Sequence, residues 1–245
     1  MISTIAIRKC ETLRDFNLCV ELQRQVWGES DLEVEPATLF IVAAHTGGQV
    51  LGAFDGPRLA GFTLAVAGLR DATPYLHSHM TGVHPDYQGR GVGKSLKLFQ
   101  REDALARGVR RIEWTFDPLG MRNAHFNLNL LGAIARKYLP NLYGVTSSPL
   151  HRNMETDRLL AEWHLDSPRV IAAIQNVVPA QAPAAAILMP EQLETWQAQG
   201  SPELVTLQAR VRKEFTDYFS RGYAALAATR SARESAYSLA PWSDF

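Results

Sequence analysis

The segment 83–95, with the sequence VHPDYQGRGVGKS, contains the residues whose types and spacing most clearly indicate a chemical function. Three glycines stand at alternate positions and two cations flank them: Gly89, Gly91, Gly93, Arg90 and Lys94. Glycine lets a backbone turn tightly and present consecutive N–H groups, and a following helix adds partial positive charge at its N-terminus. The segment therefore predicts a loop that binds a phosphate or pyrophosphate group.

The spacing of the glycines distinguishes between the known phosphate-binding motifs. A Walker loop requires Gly, four residues and then Gly-Lys-Ser. Gly93-Lys94-Ser95 is present here, but Gln88 stands where the first glycine belongs. The dinucleotide pattern Gly-x-Gly-x-x-Gly also fails, because only Val92 separates Gly91 from Gly93. A nucleoside triphosphate hydrolase is therefore an alternative that the loop itself disfavours.

The motif Gln88-x-x-Gly91-x-Gly93, with Val83 and Pro85 ahead of it, resembles the acyl-CoA pyrophosphate loop of the GNAT superfamily of N-acyltransferases. The resemblance implies that acetyl-CoA or another short acyl-CoA is a co-substrate, without a metal. It also implies that the strand before the loop binds the pantetheine arm, with N–H groups near Met80 and Thr81 as oxyanion donors. Carried onto this chain, the cofactor-binding residues are Met80, Thr81, Gly82, Val83, Gln88, Gly89, Arg90, Gly91, Val92, Gly93, Lys94 and Asn123.

Further segments of the chain resemble a bacterial branch of this superfamily with long C-terminal extensions. These segments are HSHMTGVHPDYQGRGVG, IEWTFDPLGMRNAHFN, LGAIARKYLPNLYG and TDRLLAEW. The narrower resemblance implies that the acceptor is the amine of an amino acid or a similar small molecule. It also implies succinyl-CoA as a possible donor, so both an acetyltransferase and a succinyltransferase are expected activities.

Transfer of an acyl group to an amine needs a base that takes the proton of the amine. In the family a Glu often has this role, six residues before the Val of the strand, and His77 occupies that place here. Histidine is suited to proton transfer near pH 7, and His79 shares its face of the strand. The alternative is that both are ordinary sheet residues. Glu33 or Glu35, in the loop after the first helix, is a further candidate that acts through water and borders the acceptor.

The usual general acid of the family, a Tyr on the helix after the fifth strand, is missing here, and Leu128 falls near its place. Either Tyr138 or Tyr143 protonates the thiolate from the next strand, or the thiolate leaves without a dedicated acid. This absence supports a second hypothesis, a non-catalytic or regulatory protein that binds CoA esters. Arg122 is a candidate for binding a carboxylate of the acceptor or the donor.

The predicted elements of residues 1–168 are a strand, two helices, three strands, a helix, a strand, a helix and two strands. This order is similar to the GNAT fold, so we expect an α/β (α+β) fold with a mixed, mostly antiparallel, splayed sheet flanked by helices. Residues 1–168 are predicted to form the acyltransferase domain. Residues 169–245 are predicted to form a helix-strand-strand extension, with its helix at Glu203–Ser220. The extension is expected to extend the sheet, cover the acceptor site or form a homodimer contact.

The composition fits an enzyme that acts on small molecules. Hydrophobic residues make up 46% of the 245 residues, and the formal net charge is zero, so a nucleic-acid partner is not expected. A membrane is not expected as a partner either, because no apolar run reaches the length of a membrane span. The chain has two cysteines, Cys10 and Cys19, which we expect to be reduced thiols. The apolar run at the N-terminus is too short for a signal peptide, so a cytoplasmic protein is expected.

Overall fold

The computed structural model describes residues 5–28, 34–144, 154–177, 183–230 and 235–243. These residues divide into two compact units, the first containing the described residues up to 113 and the second those from 114 onward. The division falls inside a strand, whereas the predicted domain boundary lies near residue 168. Each unit has a hydrophobic core of its own.

The first unit contains most of the predicted order of elements. Its elements are β1 (Ala6–Lys9), α1 (Leu13–Trp27), α2 (Ala37–His45), β2 (Gln49–Asp55), β3 (Arg58–Arg70), β4 (Thr73–Val83), α3 (Val92–Ala106) and the first half of β5 (Arg111–Phe116). Strands β1 to β4 pair antiparallel in chain order, and β4 pairs with β5 in parallel. A 3-10 turn at Pro85–Tyr87 leads from β4 toward α3. The predicted mixed, mostly antiparallel sheet flanked by helices is confirmed.

Helices cover both faces of this sheet, so β2 and the part of β3 from Leu59 to Ala65 are buried on both faces. On one face α1 and α2 pack around Phe40 and Phe62. On the other face α3 packs through Leu96 against β2 and β3. Cys10, and Cys19 of α1, are both buried as free thiols in the core that α1 and α2 cover. The sheet therefore has a dry core on each side, and polar groups buried there need partners of their own.

Lys97 of α3 is such a buried polar group. Its side chain is 3% exposed, and its Nζ donates to Ser78 Oγ of β4 at 2.8 Å and to Gln100 Oε1 at 2.9 Å. Because burial disfavours the charged ammonium, it lowers the pKa of Lys97 to about 7. The hydrogen bond to Ser78 joins α3 to β4, while protonation of Lys97 lowers the free energy of unfolding.

The second unit begins in β5 and contains the C-terminal part of the chain. Its further elements are α4 (Met121–His125), β6 (Ile134–Leu139), β7 (Arg158–His164), α5 (Pro168–Ile174), β8 (Ala185–Met189), α6 (Leu193–Gln199), α7 (Glu203–Ser220), β9 (Tyr223–Arg230) and β10 (Ser235–Pro241). A π-helical turn, Phe126–Leu130, continues α4. The predicted helix α7 is confirmed, whereas the short helices α5 and α6 were not predicted. None of the helices in the described residues is both long and apolar enough to cross a membrane.

The strands of the second unit form an antiparallel sheet in the order β7-β6-β9-β10-β8. Strand β9 joins β6 through the pair Ala135 and Ala225, so the C-terminal strands extend the sheet that β6 and β7 begin. Helix α7 packs on this sheet through Phe215, whose ring lies 5.0 Å from Tyr237 and 5.9 Å from Tyr138, between centroids. Of the three roles expected for the extension, the structure shows the extension of the sheet.

We predict that replacing Lys97 by Met makes the stability of the protein less dependent on pH. Between pH 7 and pH 9 the unfolded chain keeps the lysine protonated and the folded chain does not, so the free energy of unfolding rises with pH in this window. For a pKa of about 7, the rise due to Lys97 is about 2 kcal/mol. Urea unfolding of the wild type and of Lys97→Met at both pH values measures it.

The matched control is Arg14→Gln, which removes an exposed cation from α1. This variant should keep the rise seen in the wild type. An equal rise in Lys97→Met and in the wild type would contradict the assignment of this pH dependence to Lys97.

Candidate functional site

Strand β4 has one edge whose backbone groups are not used by the sheet of its own unit. It pairs with β3 from Thr73 to Val83, but with β5 only at Leu76–Ile112 and His77–Glu113. Within the described residues of the first unit, no strand pairs with this edge of β4 from Ser78 onward. Since backbone N–H and C=O groups need partners, this edge is suited to bind an extended ligand through main-chain hydrogen bonds.

A β-bulge interrupts β4 at His79. Leu64 of β3 pairs with Met80, and the next residue of β3, Ala65, pairs with Ser78, which leaves His79 unmatched in the register. Ser78 faces α3, where it accepts a hydrogen bond from Lys97. Because side chains alternate along a strand, His77 lies on the opposite face. The contact of His79 with Glu35, whose backbone is held by α1, places His79 on that face as well. Bulges redirect side chains locally, and this one lies where the free edge of β4 begins.

His79 is paired with a carboxylate. Its Nε2 lies 3.0 Å from Oε1 of Glu35, and both side chains are 32% exposed. Gln23 of α1, which is fully buried, holds the backbone of Glu35: its Oε1 accepts from the Glu35 N–H at 2.8 Å, and its Nε2 donates to the Glu35 carbonyl at 3.0 Å. With Nε2–H donated to Glu35, Nδ1 of His79 is left to accept a proton. A histidine oriented by a carboxylate is the arrangement of a general base.

His77 differs from His79 in its surroundings. Its side chain is half-buried, and no hydrogen bond to its ring occurs among the described residues. Burial, together with the neighbouring charges of His79 and Lys97, lowers the pKa of His77 below its ordinary value. His77 is therefore a neutral imidazole near pH 7. Of the two predicted histidines, His79 has the partner that a base needs.

The predicted phosphate loop follows β4 directly. Gly89 and Gly91 have φ values of +74° and +80°, in the left-handed region that favours glycine. Gly91 is the N-cap of α3, and no side chain caps this helix. A Cβ added at either glycine would meet nothing within 4 Å. The first-turn N–H groups of a 15-residue helix therefore adjoin open space at its positive end, which is a site for an anion.

The surroundings of the loop hold it in this shape. Gln88 Nε2 donates to the carbonyl of Val83 at 3.1 Å, which closes the turn between strand and helix. The hydroxyl of Tyr87 donates to Asp55 at 2.8 Å, and the guanidinium of Arg90 lies 5.4 Å from the centre of the Tyr87 ring. Arg90 thus has its charge beside the loop. Every predicted cofactor-binding residue except Asn123 lies in this one stretch of the first unit.

The remaining predicted site residues lie elsewhere or outside the described residues. Asn123 and Arg122 are exposed on α4 in the second unit, where both line a cavity of about 800 Å³ together with Glu191 and Arg230. Gly120 is the N-cap of α4. Glu33 falls in the residues 29–33 that are not described, next to Glu35, the other glutamate that the sequence indicated.

The surroundings of Tyr138 do not support its predicted role as an acid. Its side chain is buried, and its hydroxyl donates to Asp157 at 2.7 Å. Burial and this carboxylate raise the pKa of Tyr138 well above its ordinary value. Arg212 also pairs with Asp157, at 2.7 Å. The hydroxyl of Tyr138 therefore keeps its proton within a buried network that joins β6 to α7.

Gln23 is a residue of the site that sequence reasoning missed. It lies on the buried stripe of α1 with Phe16 and Cys19, at helical spacing. A long amide at an apolar position is a signal, because a buried amide needs hydrogen-bond partners. The partners themselves are backbone groups of Glu35, twelve residues away. In the described residues no group of three or more His, Cys, Asp or Glu side chains is placed to hold a metal ion.

The chain is similar in sequence to known acetyltransferases. The sequence model of the Acetyltransferase (GNAT) family matches residues 14–132. The chain is 30% identical over 94 residues to Acetyltransferase SG1711 of Sodalis glossinidius (strain morsitans), which is 35% of this chain and 54% of that protein. The chain thus spans about half the length of this curated relative.

Solved structures share the fold of the chain at low sequence identity. The ribosomal-protein-S18-alanine N-acetyltransferase of Escherichia coli superposes with a TM-score of 0.54 at 15% identity, over 67% of this chain and 96% of that one. Salmonella typhimurium yncA, solved with its cofactor acetyl-CoA, superposes with a TM-score of 0.53 at 17% identity, over 75% and 100%. At these identities the likeness shows the fold alone.

We predict that Gly91→Val abolishes the binding of CoA. A β-branched side chain is strained at a φ of +80°, and it adds bulk where the first-turn N–H groups of α3 face open space. Thermal unfolding with and without CoA measures binding, because a ligand that binds the folded state raises the midpoint. The variant should lose the rise that CoA produces in the wild type.

The control is Gly108→Val, at the C-terminal end of α3. Gly108 also has a positive φ, +76°, and open space around its Cα, so the substitution imposes a similar strain away from the loop. This variant should unfold at a lower temperature and keep the rise with CoA. A normal rise with CoA in Gly91→Val would show that the loop does not bind the pyrophosphate.

Proposed function

We propose that the chain is a member of the GNAT superfamily, whose family model matches residues 14–132, and that it is an N-acyltransferase that acylates the amine of an amino acid or a similar small molecule. The donor in this proposal is acetyl-CoA or another short acyl-CoA, including succinyl-CoA. One observation carries the proposal: His79, oriented by Glu35, stands on the strand that leads directly to the uncapped N-terminus of α3. A base and an anion site thus belong to one continuous segment.

The residues present fit an acyl-CoA. The open space at Gly89 and Gly91 and the uncapped N–H groups of α3 would hold the pyrophosphate, with Arg90 adding charge. The edge of β4 from Ser78 to Val83 would bind the pantetheine arm through its main chain. The bound acyl-CoA supplies the thioester carbonyl that the amine attacks.

The pair of His79 and Glu35 provides the proton transfer that the acceptor requires. An alkylamine is protonated near pH 7 and attacks only after it loses a proton. Nδ1 of His79 accepts this proton, and the carboxylate of Glu35 stabilises the imidazolium that results. Neutral His77 on the same face adds no positive charge that would oppose this step. The N–H groups near Met80, at the bulge, are the donors for the developing oxyanion.

The departing thiolate has no dedicated acid in this proposal. Leu128, near the place of the usual Tyr, is 1% exposed and offers no proton. Tyr138 is bound to Asp157. The proton that His79 takes from the ammonium group neutralises the departing sulfur, and the second proton that the nitrogen loses as the amide forms passes to His79 and on to solvent. A second candidate function, CoA-ester binding without turnover, is favoured by the same missing Tyr.

The partial exposure of the pair is consistent with a small acceptor. Glu35 and His79 are each about one third exposed, so solvent and small molecules reach them. The negative charge of Glu35 favours the approach of an ammonium group. Arg122, which the sequence indicated for binding a carboxylate, is exposed on α4 of the second unit, and its role stays a prediction.

We predict that His79→Ala lowers kcat by about 100-fold or more, since general base catalysis contributes on that scale. Glu35→Gln should also lower kcat, because an amide does not stabilise the imidazolium. Thiol release from acetyl-CoA and succinyl-CoA, measured with a panel of amino acids and other small amines, provides the assay. The Tm rise with CoA should stay as in the wild type in both variants.

His45→Ala, which removes an exposed histidine at the end of α2, is the control and should keep the wild-type rate. If His79→Ala turned over as fast as the wild type, His79 would not be the base. If CoA raised the Tm but no amine gave thiol release, the chain would be a CoA-ester-binding protein without turnover. A Tm rise with ATP alone would contradict the assignment of the loop.

A further inference from the structure

The second unit contains a cavity, partly open to solvent, that the proposed reaction does not use. Its volume is about 380 Å³, within the usual range of small-molecule sites. Most of its lining is apolar and comes from the turn after α4, from α5 and from the paired strands β9 and β10: Leu128, Leu130, Ala173, Val177, Leu226 and Leu239. All of the lining residues lie in the second unit. The cavity therefore has the shape and lining of a binding site for a largely apolar molecule.

Arg169 brings a positive charge to this apolar lining. Its Nε donates to the carbonyl of Gly132 at 3.2 Å, and its Nη2 donates to the carbonyls of Leu128, at 3.3 Å, and Leu226. No acidic side chain forms an ion pair with Arg169 among the described residues. Burial lowers the pKa of Arg169 to about 10, which reflects the cost of a charge without a counter-charge.

Two further polar side chains of the lining each form one hydrogen bond and have one more polar atom that can bind a ligand. Nδ1 of His125 donates to the carbonyl of Ala228 at 2.9 Å, and Oδ1 of Asn129 accepts from the N–H of the same residue at 2.8 Å. These bonds attach the end of α4 to β9. Nε2 of His125 and the amide nitrogen of Asn129 have no partner among the described residues, and both residues line the cavity.

We propose that this cavity is a binding site for a small monocarboxylate with an apolar body. Three of the five N–H donors of a guanidinium are used by backbone carbonyls here, which leaves Nη1 of Arg169 for the carboxylate. A charge-assisted hydrogen bond to that carboxylate supplies the counter-charge that the protein lacks at this point. The aliphatic lining accommodates the apolar body, and Nε2 of His125 and the amide of Asn129 are further hydrogen-bonding groups for the ligand.

Calorimetric titration of the full chain with octanoate tests the proposal, with octanamide as the uncharged probe of matched size. Octanoate should bind, and octanamide should bind about tenfold more weakly, because it lacks the charge that faces Arg169. The affinity for octanoate should be the same with and without saturating CoA. Equal affinity would show that octanoate binds outside the acyl-CoA site. The test of the cavity therefore does not depend on the proposed acyltransferase function.

Variants locate the bound molecule. Ser238 pairs with Ala227 across β9 and β10, and both line the cavity, so Ser238→Phe should fill the space and abolish octanoate binding. Leu188→Phe, on the exposed surface of β8, is the matched control and should bind octanoate normally. Arg169→Met should remove the preference for octanoate over octanamide. Because Arg169 also holds three carbonyls, Ser238→Phe decides the test if Arg169→Met does not fold.

Four results would overturn the proposal. The first two are that octanoate produces no heat of binding and that octanamide binds as tightly as octanoate. Binding unchanged by Ser238→Phe would place the ligand outside the cavity. Competition by CoA would place it in the acyl-CoA site.

Discussion

Backbone hydrogen bonding along β4 is the constraint on which the candidate site depends. One edge of β4 is paired with β3 from Thr73 to Val83, apart from the bulge at His79, while the other edge pairs with β5 only as far as His77. The bulge at His79 lies just past that point, and the chain then enters the glycine loop and the uncapped helix α3. Every polar backbone group that the sheet leaves unused needs a partner. A ligand that offers both amide groups and phosphates satisfies this strand edge and this helix end together.

Buried polar side chains hold the elements around β4 in place. Gln23 satisfies its amide with the backbone of Glu35, so the core of the first unit itself sets the position of the carboxylate opposite His79. On the other face, Lys97 joins α3 to Ser78. Both arrangements cost free energy if they are incomplete, because a buried group without a partner loses its hydration and gains nothing. The two faces of β4 are thus held by polar contacts specific to this fold.

Polar side chains also join the elements of the second unit, but two of its arginines differ in whether their charge is paired. Asp157 binds Tyr138 and Arg212, which ties β6 to α7 with charge and hydrogen bonds both satisfied. Arg169 ties the turn after α4 to β9 through backbone carbonyls alone, and its charge has no counterpart among the described residues. Arginine is therefore fully paired at Arg212, whereas at Arg169 it has a charge that the proposed carboxylate would pair.

The sequence by itself determined the loop, most of the element order and the strand that carries the histidines. These features follow from local chemistry: glycines at positive φ, apolar periodicity and the alternation of side chains along a strand. It did not determine the bulge, the pairing of His79 with Glu35 or the two hydrogen bonds between Gln23 and the backbone of Glu35. It also favoured His77 over His79 as the base. The tertiary structure decided these, because each depends on the register of β3 against β4 or on contacts between residues distant in the chain. It likewise decided the burial of Tyr138 and the cavity at Arg169, since burial and charge balance are properties of packed elements and not of spacing.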